Sequence, residues 1–85
     1  MKLVIIKAAA KRLAKLQPAL RAAILARLYE IAANPFAEHA NVAAMVWQQY
    51  LFRLRHGDWR IIYRVVLVAD EVRVEVIETR GAVYR

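Results

Sequence analysis

The chain contains no cysteine, so neither a disulfide framework nor a thiolate metal site is open to it. Its two histidines, His39 and His56, are not spaced as metal ligands. Glycine and proline are scarce, two of each, and no linker, internal repeat or low-complexity tract interrupts the sequence. The longest apolar run, residues 61–69, is broken by Arg64 and is far too short to cross a bilayer. The N-terminus lacks the apolar core and cleavage site of a secretory signal. These absences point to one small cytoplasmic domain over residues 1–85, with no membrane association and no metal or other cofactor. Its single core must hold without staples.

Acidic residues are also few: seven, against 14 lysines and arginines, for a net charge of +7. Yet 61% of the residues are hydrophobic and the mean hydropathy is +0.30. Sixteen alanines account for part of that figure. The remainder suggests a surface that a partner covers, and the charge suggests a polyanion or an acidic protein. Simple colloidal solubility is the plain alternative. All four lysines lie in the first 45 residues, whereas the rest of the chain has seven arginines and no lysine. Arginine presents a planar fork that matches phosphate, and it is never deprotonated.

Lys2 to Ile6 is β-branched and reads as an opening strand. Ala8 to Leu16, rich in alanine and lysine, reads as a first helix. Pro18 suits the first turn of a second helix, on which Leu20, Ile24, Leu28 and Ile31 recur at helical spacing. Asn34-Pro35 ends that helix. Phe36 to Val46 reads as an irregular connection. Tyr50 to Arg55 and Trp59 to Val68 alternate, and Val72, Val74 and Val76 mark a further strand. The expected fold is α+β in the order β-α-α-β-β-β. It has a mostly antiparallel four-stranded sheet and two N-terminal helices packed on one face.

Gly57-Asp58 makes a two-residue hairpin turn, with glycine first. Arg55 then faces Arg60, Arg53 faces Ile62 and Leu51 faces Arg64, all on one side of the sheet. Phe52, Leu54, Ile61 and Tyr63 fall on the other side, toward the helices. Like charges directly opposite one another destabilise a sheet. Gathering Arg53, Arg55, Arg60 and Arg64 on one face therefore needs a reason. A bound polyanion is one; relief by Glu75 and solvent is another. His56 and Trp59 share the parity of the core, and packing beside the turn is the plain reading for both.

The segment from Arg53 to Val65, Arg-Leu-Arg-His-Gly-Asp-Trp-Arg-Ile-Ile-Tyr-Arg-Val, resembles the signature hairpin of the RelE/ParE toxins of type II toxin–antitoxin modules. The ending from Thr79 to Arg85 is similar to the family's terminal arginine-to-tyrosine segment. The resemblance covers nearly the whole chain and implies a RelE-like fold. Arg60 and the Arg80…Tyr84 pair lean it toward the RelE branch, ribosome-dependent endoribonucleases that cut messenger RNA. The ParE branch poisons DNA gyrase instead. The resemblance implies that Arg60 stabilises the scissile phosphate. Arg80 would serve the leaving oxygen or phosphate, and Tyr84 would orient or stack on a nucleotide. Arg53 matches a basic position of the active strand. Arg55, with Arg64 and His56 beside it, would add RNA contacts. The resemblance breaks at Leu51, where the RelE branch has a lysine. The implied partners are a RelB-like acidic antitoxin, the ribosome and mRNA.

The residues alone say less. Metal-free RNA cleavage needs a base for the 2′-hydroxyl, charge to neutralise the phosphorane and a proton for the leaving 5′-oxygen. Arginine supplies the second and is a poor base. No aspartate cluster suggests a two-metal nuclease. A toxin acting on a protein target, or a small RNA-binding module, remains compatible with the same residues.

Overall fold

The computed structural model describes residues 1–46 and 48–79. Strand β1 (Lys2–Ile5) leads into helix α1 (Lys7–Ala14) and then helix α2 (Pro18–Ala33). Strands β2 (Val42–Ala44), β3 (Leu51–His56) and β4 (Trp59–Val66) follow. A short 3₁₀ turn (Leu67–Ala69) precedes strand β5 (Glu71–Thr79). The sheet order is β1-β5-β4-β3-β2; β1 runs parallel to β5 and the other pairs are antiparallel.

The helices form where apolar side chains recur on one stripe. On α1, Ala9 and Leu13 are one turn apart and buried. On α2, Ile24, Leu28 and Ile31 have no exposed surface. Pro18 sits in the first turn of α2, where its missing N–H costs no helical bond. Arg21 reaches back from α2 to donate to the carbonyls of Ala14 (3.1 Å) and Leu16 (3.4 Å). It thereby satisfies acceptors that the end of α1 leaves open. Lys11 and Arg12 lie in the last turn of α1, where the helix dipole favours positive charge. Both helices press this stripe onto Leu54, Ile61, Tyr63, Val65, Val72, Val74 and Ile77 of the sheet.

The β3–β4 pairing has the expected register: Leu51 opposite Arg64, Arg53 opposite Ile62, and Arg55 opposite Arg60. Gly57 takes φ +59°, while Asp58 is not left-handed, as a turn with glycine first requires. Other expectations are corrected. The sheet has five strands, not four, because Val42–Ala44 of the supposed irregular connection pairs with β3. Three residues, two of them alanine, are too few to show alternation in the sequence. Helix α1 begins at Lys7 and ends at Ala14, two residues short of Leu16. Tyr50 lies outside the strand at φ +62°, and Leu67 lies in the 3₁₀ turn and is 49% exposed.

A larger departure lies in β5. Ile62 pairs with Val76, but the next residue, Tyr63, pairs with Val74, so Glu75 is an extra residue in the ladder. This β-bulge reverses the parity of β5 beyond it. Val72 and Val74 face the core, then Ile77 does, and Val76 turns to the far side with Ile62.

Tyr63 is fully buried and stacks on Phe52, with ring centroids 5.4 Å apart. Its hydroxyl has no hydrogen-bond partner among the described residues. Burial raises its pKa from 10.0 to about 12, against an opposing pull from the charge of Arg27. The preference for the neutral phenol therefore contributes fully below pH 10, and is lost as pH rises through about 12. Tyr63→Phe should raise stability by about 1 kcal/mol at neutral pH, since it removes an unpaired buried hydroxyl. It should also weaken the loss of stability at alkaline pH, and denaturant melts of both proteins from pH 8 to 12 check this. Arg55→Thr, which removes one of two facing guanidinium groups, should stabilise the fold by about 0.5 kcal/mol, or roughly 2–4 °C in melting temperature.

Candidate functional site

The sheet face turned away from the helices carries the arginines. Adjacent strands bring Arg55, Arg60 and Glu78 into one row, since Arg60 pairs with Arg55 on β3 and with Glu78 on β5. The next row on this face is Arg53, Ile62 and Val76. The third is Leu51, Arg64 and Arg73. Five arginines thus share one side of three strands.

Two acids of β5 answer part of that charge. Arg64 donates from Nε to Glu75 Oε2 at 3.3 Å and from Nη2 to Glu75 Oε1 at 3.5 Å. Its Nη2 also bonds Gln48 Oε1 at 2.9 Å. Arg73 is hydrogen-bonded to Glu71. These two pairs relieve the repulsion between the facing Arg64 and Arg73, and they sit at the end of the face nearest the 3₁₀ turn. The other end, with Arg53, Arg55 and Arg60, keeps an excess of positive charge. Arg53 is half-buried, and its Nε is buried with no hydrogen-bond partner among the described residues. Its side chain lines a cavity of about 220 Å³ with Ala43, Ala44, Met45 and Val46. The short strand β2 therefore forms one wall of the arginine site.

Of the residues singled out in the sequence, Arg53, Arg55 and Arg60 come together. Arg64 shares their face but is held by Glu75 and Gln48. His56 pairs with Trp59 on the parity of the core and points away from the arginines. Trp59 packs on the core, and the guanidinium of Arg12 lies 5.9 Å from its ring centroid, so a cation–π contact ties α1 to the hairpin. Leu51 is buried, which leaves no titrating group where the RelE branch has its lysine. Arg80 and Tyr84 lie outside the described residues. Sequence reasoning could not assign Glu78 a position in the site, and it missed Glu71, Arg73 and Gln48. The bulge at Glu75 decides where Glu78 points, and no sequence pattern announced it.

Comparison with known proteins follows the same line. Among curated protein sequences none matches this chain. The fold matches the isolated RelE toxin of E. coli with a TM-score of 0.80 and 22% identity, covering 99% of this chain and 96% of that one. It matches an archaeal RelE–RelB complex from Pyrococcus horikoshii OT3 at 0.79 and 24%, covering 94% of each. The RelB–RelE antitoxin–toxin complex of Methanococcus jannaschii gives 0.76 and 17%, covering 95% and 94%. The family model described as the ParE toxin of type II toxin–antitoxin system, parDE, matches residues 3–82. With that match spanning both helices and all but the first residue of the sheet, the chain belongs to the ParE toxin family of type II toxin–antitoxin systems.

Proposed function

We propose that this toxin is a ribosome-dependent endoribonuclease that cuts messenger RNA and is silenced by an acidic antitoxin. The observation that carries the reading is the hairpin register, which sets Arg53, Arg55 and Arg60 side by side on an open sheet face. Facing guanidinium groups cost stability, and a phosphate backbone is the ligand that repays it. Arg60 stabilises the phosphorane, and Arg53 and Arg55 hold the flanking phosphates. Arg80 serves the leaving oxygen, and Tyr84 stacks on a base. The ribosome holds the RNA in line for attack, which supplies much of the rate that so sparse a site lacks.

A second reading has its own support. The matching family is described by ParE, Leu51 offers no base, and Glu71 and Glu75 bind two of the five arginines. A toxin of that kind acts on a protein such as DNA gyrase. Induced expression separates the two: cut messages with arrested translation support the nuclease, and DNA damage with intact messages supports the other.

The antitoxin reading rests on charge and on relatives solved as complexes with RelB. Ala8, Ala10, Ala14, Ala22 and Ala26 are exposed on the helices and allow close approach of a partner helix. An acidic segment would also cover the arginine face.

Arg60→Ala should lower cleavage of ribosome-bound message by about 10²–10³-fold, because one preorganised charge is lost from the transition state. Arg80→Ala should do the same. Full toxicity of either variant at equal expression would remove that residue from the site. Arg55→Thr should weaken RNA binding even as it stabilises the fold. Mixing the toxin with the acidic product of a neighbouring reading frame should raise its melting temperature and yield one complex on size exclusion. An unchanged melting curve with no complex would eliminate that product as the antitoxin.

A further inference from the structure

The nuclease reading lacks a base for the 2′-hydroxyl, and the bulge in β5 places a candidate where the sequence pattern does not. Without the extra residue at Glu75, the alternation that buries Val72 and Val74 would turn Glu78 toward the helices. With it, Glu78 stands on the arginine face, directly across from Arg60. Bulges commonly re-aim a side chain beside an active site. Of the three glutamates that β5 presents there, Glu71 and Glu75 are bonded to Arg73 and Arg64, at the other end of the face. Glu78 also lines a cleft of about 300 Å³ between α1 and β5, with Ala8, Arg12 and Glu75 among its other walls.

Resting on the nuclease reading, we infer that Glu78 is the general base of this toxin. Directly opposed side chains on neighbouring strands have Cβ atoms about 5 Å apart, so one nucleotide can meet both Arg60 and Glu78. The scissile phosphate lies on Arg60, and the 2′-hydroxyl of the ribose attached to it through the 3′-oxygen reaches the carboxylate. The 2′-oxygen bonds to phosphorus as the bond from phosphorus to the 5′-oxygen breaks. The hydroxyl proton passes to a Glu78 carboxylate oxygen, and water supplies the proton that the leaving 5′-oxygen takes up. The products are a 2′,3′-cyclic phosphate and a 5′-hydroxyl end. In the ladder Glu78 stands across from Arg60 of β4, with Arg55 of β3 one strand further, while Arg12 of α1 and Glu75 line a cleft that Glu78 shares.

The test is single-turnover cleavage of a defined message on intact ribosomes at saturating toxin. The full-length toxin is compared with Glu78→Gln, with Glu78→Asp and with Glu71→Gln, a control that removes one negative charge from the same strand. Thermal melting of each variant monitors folding. Glu78→Gln should cut the rate by roughly 10²–10⁴-fold, with an unchanged melting temperature and unchanged binding to ribosomes. Glu78→Asp, which keeps a carboxylate, should recover part of the lost rate, and Glu71→Gln should keep the parent rate. A Glu78→Gln rate equal to the parent's, or a Glu78→Asp rate no higher than that of Glu78→Gln, would overturn Glu78 as the base and leave the nuclease reading standing. A parent protein that leaves every message uncut would overturn both.

Discussion

A two-residue turn at Gly57-Asp58 decides which side of the sheet every side chain of β3 and β4 occupies. The apolar members, Leu54, Ile61, Tyr63 and Val65, must meet Ile24, Leu28 and Ile31 of α2, for together these are half of the buried core cluster of a small chain. Once that demand is met, the arginines have no choice but the other face. A slip of one residue would bury guanidinium groups under the helices, at a cost no domain of this size could bear. Core and charged surface are thus two outcomes of one register.

The hairpin was legible in the sequence because both its faces are strongly marked, by bulky apolar residues on one side and arginine on the other. The stripe of α2 was legible for the same reason. Strand β2 was not, since Val42-Ala43-Ala44 is short and has little to bury. Nor was the bulge: Val72, Val74 and Val76 alternate without fault, and only pairing with β4 shows that Val76 has turned outward. The candidate site was legible to a similar extent. Arg53, Arg55 and Arg60 follow from strand parity alone, whereas Glu78 joins them through a backbone irregularity that depends on the neighbouring strand. Relief of the arginines by Glu75 was expected from the sequence, but that it falls on Arg64, together with Gln48, needed the fold.

The outer face is graded in charge. Near the 3₁₀ turn, Glu71 and Glu75 compensate Arg73 and Arg64, so that end is held by its own ion pairs. Toward the Gly57 turn, facing Arg55 and Arg60 oppose one another across the hairpin. Fold stability is served at the first end, and attraction of anions at the second. A face built this way directs a polyanion to one end of the hairpin rather than spreading it across the sheet.

The two strands at the sheet margins are its shortest, four residues in β1 and three in β2. Strand β1 begins with an exposed lysine, and α1 packs along β5 where β1 no longer covers it. Margins of that kind offer little backbone for a second copy to pair with. For a chain that is 61% hydrophobic, this matters for survival in a crowded solution. Stacking into ordered aggregates would need a long, flat margin, and the chain presents none among its described residues. Brevity at the margins therefore guards a very apolar protein against polymerising with itself.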